Sequence, residues 1–150
     1  MTSSIQPQLA DCLTNILRIA TALVPKSDWH TLHVEGCIVG SLTEVRTWYT
    51  LPGVETRVEY DTFDLNYINE DSDNNEIGNF VEQIRELTYD PIRGAWYTVL
   101  LDFDRRGPQP NMHFNYYDQP NFSSPVPLTL YSKDLKVFPR PVQTLPDWLK

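Results

Sequence analysis

Three groups of residues have the types and spacing that chemistry needs. His30, His33 and Cys37 lie within eight positions and carry soft ligands for a metal. A strand from Trp29, however, sends residues 30 and 33 to opposite faces, and no second Cys/His cluster completes a tetrahedral set. Asp71-Ser72-Asp73-Asn74-Asn75 with Glu82 copies positions 1, 3, 5 and 12 of a calcium loop, but Glu76 occupies the sixth position, where the sharp turn calls for glycine. Helix capping by Asn74 or Asn75 is the better reading of that run. Asp102 and Asp104 share one strand face and form a carboxylate pair of the kind used in acid/base work, while His113 stands alone beside Phe114 and reads as a half-exposed strand residue rather than a catalytic base. Glycosidases usually take their two carboxylates from separate elements, and Arg105-Arg106 next door points to a charge-balanced hairpin end. The chain has no Gly-x-Ser-x-Gly elbow, no papain-like cysteine context and no glycine-rich phosphate loop. These residues therefore lead to an expectation of no catalytic centre, no metal and no cofactor.

The charge distribution is more informative. Eleven acidic residues lie between Glu55 and Asp90 against Arg57 and Arg85, a charge of −9 in a chain whose total is −8. Concentrated like charge costs self-repulsion, which an oppositely charged partner relieves. Tyr60, Phe63, Tyr67 and Phe80 are threaded through the run, and aromatic anchors within a polar rim are the composition of interfaces. A pI near 4.7 argues against nucleic acid as the partner, because phosphate contacts need clustered Lys and Arg.

At 150 residues and 41% hydrophobic the chain fits one domain, 1–150, with a single core. Leu9, Cys12, Leu13, Ile16, Leu17, Ala20 and Leu23 make one apolar stripe on a helix over 8–24 that Pro25 ends. From Trp29 the period becomes two, and Gly40-Ser41 turns a first strand into a second bearing Val45, Thr47 and Tyr49. Pro52-Gly53 has type II turn chemistry and leads into a third strand, Val54 to Tyr60. Ile77, Phe80, Val81, Ile84 and Leu87 return to helical spacing. Trp96–Phe103 and Met112–Tyr117 form a second hairpin, and Leu128, Tyr131, Leu135 and Phe138 a closing helix. The expected fold is α+β, an antiparallel sheet of about five strands with helices packed on one face, in the order α-β-β-β-α-β-β-α. Cys12 and Cys37 read as free thiols. The first residues lack the basic and apolar regions of a signal peptide, and no window is apolar enough to span a bilayer, so a cytoplasmic location is expected.

Trp96-Tyr97-Thr98 followed by Leu100 and Asp102, the Arg106-Gly107 turn, Phe114-Asn115-Tyr116-Tyr117-Asp118, Asp134-Leu135, Phe138-Pro139-Arg140 and Pro146-x-Trp148-Leu149 resemble the YezG-like immunity proteins of bacterial polymorphic toxin systems. The leading helix and the Pro25-x-x-x-Trp29 entry into the first strand agree in layout, while the proline-rich stretch Pro120 to Pro127 departs from the family's pattern. The resemblance implies a cytoplasmic antitoxin that binds and blocks a cognate toxin domain, commonly a nuclease, and that has no catalytic residues of its own. In that reading Glu55, Glu59, Asp61, Asp64, Glu70, Asp71 and Asp73 form an electrostatic rim with Tyr60, Phe63 and Tyr67 as anchors, and the partner is a basic protein rather than nucleic acid or membrane. Edge strands leave room for a homodimer. The alternatives are a non-enzymatic adaptor of the same fold and a small hydrolase using Asp102, Asp104 and His113.

Overall fold

The computed structural model describes residues 5–62, 76–107 and 110–150. Helix α1 (Ile5–Leu23) precedes strands β1 (Thr31–Val39), β2 (Leu42–Thr50) and β3 (Val58–Tyr60). Helix α2 (Ile77–Thr88), strands β4 (Thr98–Asp104) and β5 (Asn111–Asn115) and helix α3 (Leu128–Val137) follow, with two 3-10 turns closing the chain. The strands form one antiparallel sheet in the order β3-β2-β1-β4-β5. This is the expected α+β fold with the expected order of elements.

The hairpin turn between β1 and β2 holds two residues, with Val39 opposite Leu42, and Gly40 takes φ +57°. A positive φ at the first central position alone is the type II′ turn, whose twist suits flanking strands. At the other end of β2, Gly53 has φ +74° and the Val54 amide donates to the Leu51 carbonyl over 3.0 Å, as a type II turn requires.

Strand alternation places Leu32, Val34 and Ile38 of β1, Tyr49 of β2, and Val99, Leu101 and Phe103 of β4 on one face. Helix α1 covers that face with Leu9, Cys12, Ile16, Ile19 and Ala20, and α2 covers it with Ile77, Val81 and Ile84. Helix α2 sits close to β1 because Gly36 has no side chain. A Cβ there would lie 3.0 and 3.1 Å from the Val81 methyls and 3.2 Å from Val99 Cγ1.

Helix α3 leaves the layer that the hydrophobic pattern assigned to the helices. It sits at the Val39 end of the sheet, where Tyr131 joins Val39 and Tyr97 in a second cluster with Phe122, Val126, Trp148 and Leu149. Val39 points away from α1 and α2 by strand parity, so this cluster belongs to the opposite face. Strand β3 is also shorter than expected. Residues 52–59 are exposed, so Val54 and Thr56 have no buried face to hold them in a ladder. Strand β5 stops at Asn115, whose side-chain carbonyl accepts from the Tyr117 and Asp118 amides and turns the chain. Helix α2 is entered at Glu76 with no side-chain cap, and Asn74 and Asn75 lie outside the described residues.

Candidate interaction surface

The face opposite α1 and α2 carries the polar chemistry, and the register fixes its rows. One row reads Glu59, Trp48, His33, Asp102, Asn111 from β3 to β5. The next reads Arg46, Glu35, Leu100, His113, and a third reads Glu44, Cys37, Thr98, Asn115. The third row is roofed: Ser123 donates from both its amide and its hydroxyl to Glu44. Tyr131 stands close to Cys37, and the Tyr97 ring meets the rings of Tyr131 and Trp148 at 5.8 Å each. The first two rows carry no such roof among the described residues.

In the first row the His33 Nδ1 lies 2.6 Å from Asp102 Oδ1, and its Nε2 lies 2.9 Å from Thr31 Oγ1, which is 2.5 Å from Thr50 Oγ1. An ionised carboxylate only accepts, so Nδ1–H donates to Asp102 and Nε2 is left to accept from the Thr31 hydroxyl. The order Asp, His, Thr is that of a hydrolytic triad. Its setting differs from one. Thr31 is paired on both sides, to Thr50 and to Asp104, so the surrounding backbone amides serve the sheet rather than a developing oxyanion. Asp104 Oδ1 is occupied by the Arg106 amide at 2.9 Å, which makes Asp104 the cap of the β4–β5 turn. His113 stands opposite Leu100, exposed, and is not joined to either aspartate. The grouping of Asp102, Asp104 and His113 is thus not what the fold assembles. Asp102 takes His33 instead, from a strand 69 residues earlier.

Sequence reasoning missed the His33–Asp102 pair because β1 and β4 are far apart in the chain and adjacent only in the sheet. The outward parity of both residues was readable, but their register was not.

The remaining metal candidates separate as well. Cys37 is buried, with its thiol pushed up first by burial, and Cys12 likewise. Both are protonated and poor ligands or nucleophiles. Glu82 accepts from the Thr43 hydroxyl at 3.1 Å, tying α2 to β2. Among the described residues no group of three or more His, Cys, Asp and Glu is placed to hold a metal ion.

Of the ten residues expected to form the binding rim, Glu55, Glu59, Tyr60 and Asp61 fall within the described part. Phe63, Asp64, Tyr67, Glu70, Asp71 and Asp73 lie outside it. Glu55, Glu59 and Asp61 are exposed along the β3 edge. Glu59 and Asp61 border a shallow groove with Val45, Arg46, Thr47 and Tyr60, where β2 runs on past the end of β3. Tyr60 itself is committed to the fold. Its ring meets Tyr49 edge-on at 5.7 Å, its hydroxyl donates to the Ala20 carbonyl at 2.9 Å, and burial raises the phenol well above its usual range. It is a strut between sheet and α1, not an anchor offered to a partner.

Arg85, one of the two cations in the acidic stretch, is 1% exposed and spends its charge inside. Its Nη1 and Nη2 reach Asp134 at 2.5 and 2.7 Å, and its Nε donates to the Trp96 carbonyl at 2.7 Å. The surface of that stretch therefore has Arg57 as its one exposed cation among the described residues.

No protein-family model matches the chain, and no curated protein matches it. Among the described residues no helix is long and apolar enough to cross a membrane.

Proposed function

We propose that the protein is an immunity protein: a non-enzymatic binder that neutralises a cognate basic toxin domain, a nuclease, in the bacterial cytoplasm. The observation that carries this reading is the exposed acidic edge. Glu55, Glu59 and Asp61 line the β3 side of the sheet with Arg57 as the one exposed cation among them in the described residues, while the Arg85 guanidinium is turned inward onto Asp134. A nuclease cleft is built to hold polyphosphate, so its positive potential attracts a carboxylate-rich edge and speeds association. The resemblance of the Trp96-to-Leu149 motifs to YezG-like immunity proteins supports the same role. Glu59 stands on β3, paired to Trp48 of the sheet that α1 and α2 cover.

The test is protection. The protein is co-expressed with toxic C-terminal domains of large secreted proteins encoded directly upstream of it, and growth is followed. Restored growth with a basic toxin domain, together with a stable complex on gel filtration, is the expected result. Protection against none of them, or protection with no complex, contradicts the reading.

A further inference from the structure

Resting on the binding role just described, we propose that the Trp48 ring with Glu59 beside it on the open sheet face is the seat of a cationic side chain, an arginine of the partner protein. Four tryptophans occur in the chain, and three belong to the apolar clusters: Trp29 and Trp96 to the first, Trp148 to the second. Trp48 belongs to neither. It is half-buried near the Thr50 end of β2, flanked by Glu59 on β3 and His33 on β1, and its indole N–H makes no hydrogen bond to a described residue. A large ring kept at a surface, outside the core and held by paired strands on both sides, is the form of an interface anchor.

The charges around it select the occupant. Glu59 is exposed and stands directly beside Trp48 in the row, while half-buried Asp102 lies on the far side of His33 and is paired to it, and exposed Asp104 lies in the row beyond. Glu59 makes no ion pair with a described residue. Arg46, on the same strand and face as Trp48, is held between Glu35 at 3.6 Å and Glu44 at 3.3 Å and does not lie over the ring. Elsewhere the molecule fills such positions from within: Arg105 lies 4.2 Å from the Trp29 ring centroid, and Arg93 and Arg140 lie 5.0 and 5.4 Å from Tyr116 and Tyr117. A guanidinium placed on Trp48 gains the ring quadrupole and the Glu59 carboxylate together, and its planar fork suits both. The half of the face that no described residue roofs then receives the partner, while the half over Cys37 and Thr98 is already closed by the protein's own chain.

An octa-arginine peptide at low ionic strength is a sufficient probe, read by the nitrogen–proton spectrum of the 15N-labelled full chain. The Trp48 indole signal, assigned by its loss in Trp48→Phe, is expected to shift most among the four. Trp48→Ala is expected to weaken binding about threefold to tenfold, Glu59→Gln by a smaller factor, and Trp48→Phe by less than Trp48→Ala because a ring remains. Thermal transitions of the variants should stay close to that of the parent, since Trp48 lies outside both cores. Shifts confined to residues 52–62 with the Trp48 indole unmoved would overturn the seat and leave the acidic-edge reading standing. No binding of the peptide at all would overturn both.

Discussion

Arg85 and Asp134, 49 residues apart in sequence, meet side by side in the interior, 1% and 2% exposed. The pair is fully partnered: Arg85 also donates to the Trp96 carbonyl, and Asp134 also accepts from the Gly40 amide at 2.9 Å. It joins α2, α3, the entry to β4 and the β1–β2 turn at one point. The rings of Phe138 and Tyr97 close over the guanidinium at 4.9 and 5.4 Å.

Removing one partner leaves the other charge buried and alone, which costs about 3–5 kcal/mol. Asp134→Ala and Arg85→Met are each expected to lower the unfolding free energy obtained from urea titration by that amount. The double variant should cost less than the sum of the two. Additive losses would show that the groups act separately.

Gly36→Ala is expected to be destabilising. A methyl at 3.0 and 3.1 Å from the Val81 methyls and 3.2 Å from Val99 Cγ1 needs those side chains to give by a few tenths of an ångström, and overpacking of this kind costs about 1–3 kcal/mol. Gly36→Ala measured alone and with Val81→Ala checks the cause, because the smaller partner should restore most of the loss.

The layered core was legible in the sequence because periodicity reports burial directly. The α1 stripe from Leu9 to Leu23 lies in or against the first core at every position, and β1 alternates as read from Thr31 to Glu35, while Cys37 and Val39 are buried on the other face. The Gly40-Ser41 and Pro52-Gly53 turns were equally legible from their backbone requirements. Long-range pairing was not. Arg85 reads as surface charge by composition and is the most deeply placed cation of the chain, and His33 reads only as part of a metal set with His30 and Cys37 that strand parity takes apart, until β4 is laid beside β1. Tyr60 carries the same signal whether it serves a partner or α1. The acidic residues from Asp64 to Asp73 lie outside the described part, so the edge rests on Glu55, Glu59 and Asp61.

His33 is expected to hold its proton on Nδ1, the less common tautomer, because the Asp102 carboxylate accepts there. Nitrogen–carbon-proton correlation spectra of the imidazole at high pH read this directly. Asp102→Ala should move the proton to Nε2, with a stability change within about 1 kcal/mol since Asp102 is 47% exposed. An unchanged tautomer would show that the contact does not orient the ring.

Alkaline pH is expected to unfold the protein through its buried phenols. Burial pushes Tyr97 up from 10.0 to about 12 and raises Tyr116 and Tyr131 in the same direction. A group whose proton is held more tightly in the folded state contributes fully below its unfolded value and is lost as pH rises through its folded one. Stability should therefore hold up to about pH 10 and fall between 10 and 12. Phenolate absorbance should rise together with the loss of circular dichroism, and Tyr97→Phe should flatten the fall.

The central claim is that the acidic edge around β3 steers a basic toxin domain onto the protein. The most direct measurement is the stopped-flow association rate with the toxin domain it protects against, at low and high salt, for the parent and for the Glu55→Lys/Glu59→Lys/Asp61→Lys variant. Electrostatic steering predicts that the variant associates at least tenfold more slowly at low salt and that the two rates converge as salt screens the charges. Equal rates at every salt concentration would contradict it.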